Sequence, residues 1–212
     1  MKISEIFESL EGEAGHAGEP AVFVRVSKCN FALEGHPCPF CDTSYSWSGG
    51  SDMSLTEIVD RIYKVKSRYT ESVTITGGEP LIHDEIYNLI KLIKTNGFKV
   101  RVETNGSIPI KQNMGVDCWS LDIKTPCSGN SEHNYYPNLY RLRSRDQVKF
   151  IVKDDVDLEF VKNALDEYST LAKIYLQPVW GECDLGWLWE KVKEIPGAIF
   201  SLQLNKVVGG KR

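Results

Sequence analysis

Apolar and polar positions follow two rhythms along this chain. In residues 21–28 and 72–76, apolar and polar residues alternate over short runs that are rich in β-branched side chains, which predicts strands. After residue 54, apolar residues instead recur every three or four positions, which predicts a helix with one buried face. Ser54 and Glu57 match the capping box, so the helix is expected to begin there.

Strands and helices alternate over most of the chain. Further strands are predicted at residues 98–106, 118–124, 146–153, 172–179 and 198–206, and further helices at residues 83–97, 157–169 and 185–195. This order predicts an α/β fold with a mostly parallel sheet and right-handed crossovers. A closed eight-unit barrel needs about 250 residues. We therefore expect an incomplete, partial TIM-like barrel with a short N-terminal extension, as a single domain over residues 1–212. A doubly wound open sheet is the alternative architecture.

Composition narrows the function classes. Hydrophobic residues make up 42% and charged residues 25% of the 212 residues, as in ordinary globular proteins. The net charge of −4 argues against direct nucleic-acid binding, which usually needs a basic face. No apolar run is long enough to span a bilayer, and the first residues lack the apolar core of a signal peptide. We expect a cytoplasmic protein whose six cysteines stay reduced.

Three of the cysteines lie within thirteen positions. Cys29, Cys38 and Cys41 belong to an irregular, Gly- and Pro-rich stretch, residues 29–52, and loops of that length are usually functional. A zinc site with a distant fourth ligand and ordinary burial are both compatible with this spacing. A four-iron cluster held by three thiolates would keep one iron open for chemistry. The remaining cysteines, Cys118, Cys127 and Cys183, lack a Cys-x-x-Cys pair, so we expect packing rather than a second cluster.

Polar or conformationally special residues follow five of the predicted parallel strands. They are Cys29, "TGGEP" from residue 76, "ETNG" from residue 103, "LDIKTP" from residue 121 and "LQPVW" from residue 176. The carboxyl ends of parallel strands meet at one edge of the sheet, where chemistry collects in such folds. The sequence therefore predicts one site that is assembled from separated segments.

The three-cysteine loop followed by "TGGEP" resembles the radical S-adenosylmethionine superfamily. The usual spacing there is Cys-x3-Cys-x2-Cys, whereas the first gap here holds eight residues, "NFALEGHP". The 7-carboxy-7-deazaguanine synthase family tolerates such a gap. The N-terminal turn "LEGEA", "FCDT", "DIK", "LQPV" and "LQLNK" also resemble that family in kind and order, with Glu11 where its usual residue is Gln.

The resemblance implies a set of cofactors and ligands. Cys29, Cys38 and Cys41 would hold a 4Fe-4S cluster, and Thr43 would bind Mg²⁺. Contacts to S-adenosylmethionine are expected from Phe40, Cys41, Asp42, Gly78, Glu79, Asp122, Ile123, Lys124, Gln177, Pro178, Val179 and Trp180. The pterin substrate would contact Leu10, Glu11, Gly12, Glu13, Arg25 and Thr76. A 5′-deoxyadenosyl radical would then act on that substrate.

The implied reaction is the ring contraction of 6-carboxy-5,6,7,8-tetrahydropterin to 7-carboxy-7-deazaguanine with loss of ammonia. This is a carbon–nitrogen lyase step on the route to the deazapurines queuosine and archaeosine. The resemblance also implies a homodimer and a reductant such as flavodoxin or ferredoxin. Two other functions fit parts of the pattern: a small radical activase that acts on a protein partner, and a non-enzymatic zinc-binding interaction module.

Overall fold

One nine-stranded sheet organises this computed structural model, which describes residues 1–209. Its strands are β1 (Lys2–Leu10), β2 (Pro20–Val26), β3 (Ser51–Asp52), β4 (Ser72–Gly77), β5 (Lys99–Thr104), β6 (Cys118–Ile123), β7 (Gln147–Val152), β8 (Lys173–Pro178) and β9 (Ala198–Phe200). Their spatial order is β3-β1-β2-β4-β5-β6-β7-β8-β9. From β2 to β9 every neighbouring pair is parallel. Within residues 1–209 no pairing joins β9 to β3, so the sheet is an open, partial barrel, as predicted.

The N-terminal extension forms a full strand of this sheet. Strand β1 has nine residues and pairs with β2 antiparallel, while β3 pairs with the start of β1. The register of the β1–β2 pair shifts between Ile3 and Glu5. Such a bulge interrupts the two-residue alternation of side chains. The sequence therefore lacks a clear strand pattern at this point.

Six α-helices accompany the strands in the described part of the chain. They are α1 (Asn30–Leu33), α2 (Leu55–Val65), α3 (Ile86–Thr95), α4 (Asp155–Glu167), α5 (Leu185–Lys191) and α6 (Leu204–Val208). The predicted capping box at the start of α2 is confirmed: Ser54 Oγ accepts a hydrogen bond from Glu57 N, and Glu57 Oε2 accepts one from Ser54 N at 2.7 Å. None of the described helices is long and apolar enough to cross a membrane.

The two faces of the sheet differ in polarity. In β5, Val100 and Val102 are fully buried in the hydrophobic core against the helices, whereas Arg101 and Glu103 alternate with them on the other face. Strand β7 repeats the pattern, with Val148 in the core and Lys149 on the inner face. A partial barrel buries both faces, so the inner polar side chains are shielded from solvent and must pair with one another.

The predicted last strand, residues 198–206, is too long. Strand β9 ends at Phe200, and the chain then leaves the sheet and forms α6. Leu204 N donates a hydrogen bond to Gly12 O at 2.8 Å, which ties this segment to the N-terminal turn. Gln203 and Asn205 thereby reach the inner cavity instead of continuing a strand.

Candidate active site

A cavity of about 250 Å³ lies at the carboxyl ends of the parallel strands. Its wall brings together most of the residues predicted from the sequence. These are Leu10, Glu11, Gly12, Glu13, Arg25, Cys29, Cys38, Phe40, Cys41, Asp42, Thr43, Thr76, Gly78, Asp122, Lys124, Pro178, Val179 and Trp180. The five strand ends thus meet in one place, as the sequence analysis predicted.

Three predicted residues have their side chains behind this wall. Glu79 and Gln177 are fully buried, and Ile123 belongs to the hydrophobic core. Gln177 Nε2 donates to Ser201 Oγ at 3.3 Å. Any contact from these positions to a ligand would have to come from the backbone.

The cysteine loop leaves β2 through Lys28, whose φ of 75° turns the chain toward the cavity. Cys29 precedes α1, and Cys38 and Cys41 are linked by a tight turn in which Cys41 N donates to Cys38 O at 3.1 Å. Burial raises the pKa of the Cys29 and Cys38 thiols, so both are protonated near neutral pH until a metal displaces the protons. The three cysteines share the cavity wall, but among residues 1–209 no group of three or more His, Cys, Asp or Glu side chains is placed to hold a metal ion.

The "TGGEP" turn packs directly on the backbone that leads to Cys29. A Cβ at Gly78 would lie 1.9 Å from Lys28 O and 2.7 Å from Cys29 N, so only glycine fits. Gly77 has a φ of 134°, which side chains rarely adopt. The Glu79 carboxyl then accepts hydrogen bonds from Leu81 N, Thr104 Oγ1 and Asn105 N at 2.7–2.9 Å. Burial nevertheless raises the pKa of Glu79 to about 7.

The N-terminal turn delivers a second buried carboxyl. Glu11 accepts hydrogen bonds from Thr74 Oγ1 and from Arg101 Nη1, the latter at 3.2 Å. Burial and, to a smaller extent, the nearby Glu103 raise the pKa of Glu11, while Thr74 and Arg101 oppose the shift, and the resulting pKa is about 7. Glu11 lies on the cavity wall, but its carboxyl is already bound by the protein's own groups.

A chain of alternating charges crosses the cavity wall. Lys149 Nζ lies 2.7 Å from Glu13 Oε2 and 3.2 Å from Asp122 Oδ1, and Lys124 Nζ donates to Asp122 Oδ2 at 3.0 Å. Burial alone would raise the pKa of Glu13 and Asp122. Lys149 and Gln203 lower the pKa of Glu13 overall. Lys124 and Lys149 lower the pKa of Asp122 overall. Glu13 and Asp122 are therefore held as carboxylates despite their burial.

The cavity wall also contains three residues for which the sequence motifs predict no ligand contact: Glu103, Lys149 and Gln203. Glu103 Oε2 accepts a hydrogen bond from Thr76 Oγ1 at 2.6 Å, and Gln203 Nε2 donates to Glu13 Oε1. Burial raises the pKa of Glu103. A charged residue in an otherwise apolar run, as in "VKFIV", is the signal that could have identified Lys149.

Arg25 and Thr43, which precede and follow the three cysteines along the chain, also line the cavity. The buried Arg25 guanidinium lies over the rings of Phe7 and Tyr45, and its Nε donates to Glu5 Oε1 at 2.7 Å. Thr43 precedes the 3₁₀ helix Ser44–Ser46, and its Oγ1 lies 3.7 Å from Cys41 Sγ.

Comparison with known proteins places this geometry in a family. The family model of the radical SAM superfamily matches residues 24–127, which include the cysteine loop and the "TGGEP" turn. In structure, the chain is similar to QueE from Escherichia coli, with a TM-score of 0.74 over 95% of this chain and 93% of that one. The sequences of these two proteins are 24% identical, so this match supports the fold.

Curated relatives extend the match to nearly the whole chain. A 7-carboxy-7-deazaguanine synthase of Methanospirillum hungatei is 36% identical over 99% of this chain and 86% of its own length. A synthase of the same name from Thermoplasma acidophilum is 36% identical over 85% of this chain and 84% of its own. Neither the zinc-binding module nor the protein activase receives support from these matches. The chain belongs to the 7-carboxy-7-deazaguanine synthase family of the radical SAM superfamily.

Proposed function

We propose that this chain converts 6-carboxy-5,6,7,8-tetrahydropterin into 7-carboxy-7-deazaguanine with loss of ammonia. It would thereby act as a carbon–nitrogen lyase in the synthesis of the deazapurines queuosine and archaeosine. One observation carries the proposal: the cysteine loop, the N-terminal turn and Arg25 line the same cavity. A cluster site and a substrate site in contact with each other are what this reaction needs.

Membership of the superfamily implies a 4Fe-4S cluster and S-adenosylmethionine, and the cavity fits both. Three free thiols, Cys29, Cys38 and Cys41, lie on its wall and would hold the cluster. A four-iron cluster spreads its thiolates over different irons, so they need not converge on one point as zinc ligands must. When bound, the cluster and S-adenosylmethionine supply the radical that takes hydrogen from C6 of the substrate.

The glycines of the "TGGEP" turn would bring backbone groups close to S-adenosylmethionine. Gly77 and Gly78 both line the cavity. The absence of a Gly78 side chain lets the turn lie directly against the backbone of Lys28 and Cys29. Glu79 supports this turn from behind through Leu81 N and Asn105 N. Phe40, Asp122, Lys124 and Trp180 would enclose the adenosyl part.

The pterin would lie between the N-terminal turn and Arg25. The Arg25–Glu5 contact uses Nε, so the end of the guanidinium that carries Nη1 and Nη2 can bind both oxygens of the substrate carboxylate. Glu13, kept ionised by Lys149, suits the N–H groups of the pterin's guanidine-like edge. Glu103 lies on the same wall, and burial raises the pKa of its carboxyl, so we include Glu103 as a candidate for moving protons as ammonia leaves.

Thr43 would be the protein's ligand to Mg²⁺. Mg²⁺ is often bound by one or two protein groups together with water and substrate oxygens, so a single hydroxyl beside the substrate carboxylate is a sufficient protein contribution. The position of Thr43 on the cavity wall beside Cys41 supports this assignment.

A homodimer and a small electron-transfer protein such as flavodoxin or ferredoxin complete the proposal. Two exposed apolar side chains lie at the edge of the sheet: Ile199 in β9, and Trp189, whose ring contacts Phe200 of β9. Apolar side chains gathered at a sheet edge favour association with a second chain.

Turnover of the purified chain tests this function. Protein reconstituted with iron and sulfide under anaerobic conditions is incubated with 6-carboxytetrahydropterin, S-adenosylmethionine, Mg²⁺ and dithionite. We expect mass spectrometry to detect 7-carboxy-7-deazaguanine and iron analysis to give about four irons per chain. The variant Cys41→Ala should contain no cluster and form no product. The variant Cys118→Ala/Cys127→Ala/Cys183→Ala should keep the same iron content as the parent. A parent with about eight irons per chain, about half of which are lost in this variant, would contradict a single cluster. If the chain carries a full cluster but leaves the pterin unchanged, the proposed substrate is wrong.

A further inference from the structure

The eight residues between Cys29 and Cys38 pose a structural problem. We call residues 30–37 the insert. A longer flexible segment would leave Cys38 free to occupy many positions, and fixing it would cost conformational entropy each time the cluster forms. A cluster ligand at the end of such a segment therefore needs something else to hold it.

The insert packs against a second loop, residues 128–133, which follows β6 and which we call the docking loop. The rings of His36 and His133 stack with centroids 4.8 Å apart and an interplanar angle of 3°. Phe31 is buried beside both rings, with centroid distances of 5.9 and 5.7 Å. The aromatic contacts therefore join the two loops.

Asn130 of the docking loop connects this contact to Cys38. It is 1% exposed. Its Oδ1 lies 2.7 Å from His36 Nδ1, and its Nδ2 donates to His36 O at 3.0 Å and to Ser128 O at 2.9 Å. The same Nδ2 lies 3.6 Å from Cys38 Sγ, so its two hydrogens are shared among three acceptors. One buried amide thus holds the insert from two sides and points a donor at the sulfur.

We infer that Asn130 is a positioning residue for the iron–sulfur cluster, which holds Cys38 in place and donates a hydrogen bond to its sulfur. A thiolate on a cluster is a better acceptor than a thiol, so this contact is expected to strengthen on loading. Hydrogen bonds to cluster sulfurs stabilise the more negative, reduced state and raise the reduction potential. The docking loop is thereby part of the electron-transfer machinery, although it contributes no ligand.

The inference rests on the proposed cluster site but not on the pterin substrate. Its test uses the reconstituted full chain without substrate. Asn130→Ala removes the donor without adding a charge, and His133→Ala removes the ring contact but leaves the amide. Asn96→Ala is the matched control, because the Asn96 side chain bonds Leu92 O at the exposed end of α3. The midpoint potential is measured by redox titration with electron paramagnetic resonance, and the rate of iron loss is measured with a chelator.

For Asn130→Ala we expect a midpoint potential that is more negative by about 59 mV. For a one-electron couple, this shift lowers the ratio of reduced to oxidised cluster at a fixed potential about tenfold. Iron loss should be several-fold faster in Asn130→Ala and His133→Ala, and both properties should be unchanged in Asn96→Ala. An unchanged or more positive potential in Asn130→Ala would overturn the inference. If Asn130→Ala does not fold, His133→Ala provides the test. Iron loss from His133→Ala at the parent's rate would refute the role of the docking loop in holding the insert. A parent chain that binds no iron would instead refute the proposed function.

Discussion

Replacing Glu11 by Gln should change how the stability of the chain depends on pH. In the structure, burial raises the pKa of this carboxyl from 4.5 to about 7, despite its contacts with Thr74 and Arg101. The folded chain therefore binds this proton more tightly than the unfolded chain. The stability that Glu11 contributes is complete below about pH 4.5 and is lost as the pH rises through 7.

The size of the effect follows from the two pKa values. A rise from 4.5 to about 7 corresponds to about 3 kcal/mol over the full range, of which about 2 to 3 kcal/mol falls between pH 5 and pH 8. Gln is neutral throughout. The contribution of this site to the free energy of unfolding should therefore fall with rising pH in the parent but not in Glu11→Gln. The free energy of unfolding of the variant minus that of the parent should increase by about 2 to 3 kcal/mol between pH 5 and pH 8.

Urea unfolding of the metal-free chain at several pH values measures this difference, provided that the m values agree. Glu57→Gln is the matched control. The capping box lowers the pKa of Glu57 below its ordinary 4.5, so its difference from the parent should stay constant above about pH 5.5. A flat difference for Glu11→Gln as well would mean that Arg101 and Thr74 outweigh burial, and that the carboxylate is ionised in the folded chain at pH 5.

Three further predictions concern the cavity wall. Gly78→Ala should abolish S-adenosylmethionine binding and cluster assembly, because its Cβ would lie 1.9 Å from Lys28 O; normal iron content and ligand affinity by calorimetry would contradict the close packing of this turn. Arg25→Ala should weaken pterin binding by roughly 1.5–3 kcal/mol, about tenfold or more, and leave S-adenosylmethionine binding nearly intact; equal loss of both ligands would make Arg25 part of the scaffold. Thr43→Ala should reduce the stimulation of turnover by Mg²⁺, and a magnesium response equal to that of the parent would assign Thr43 only to the turn.

The architecture was predictable where the pattern of side chains is regular. Alternating strands and helices predicted the partial barrel, and the polar strand ends predicted where the cavity forms. The sequence pattern did not indicate β1 because its apolar residues do not alternate regularly with polar ones: the register shifts between Ile3 and Glu5, and Ile6 and Phe7 are adjacent. The extent of the domain, residues 1–212, stays a prediction.

The inner wall was harder to predict than the loops. In an ordinary antiparallel sheet, Glu103 and Lys149 would be polar side chains that alternate toward water. Here both faces of the strand are buried, and the same alternation places them in the cavity. Glu11 and Glu79 show the converse: the motif identifies the position, but only the structure shows that the protein's own groups already bind the carboxyl.

The most direct test of the account follows one hydrogen atom. The reconstituted chain is given 6-carboxytetrahydropterin that carries deuterium at C6, together with S-adenosylmethionine, Mg²⁺ and dithionite. We expect 7-carboxy-7-deazaguanine without deuterium at the ring carbon that was C6, and deuterium in the adenosyl group of the cofactor, recovered as S-adenosylmethionine or as 5′-deoxyadenosine. Unchanged pterin, or a product formed with no deuterium in the adenosyl group, would contradict the proposed reaction.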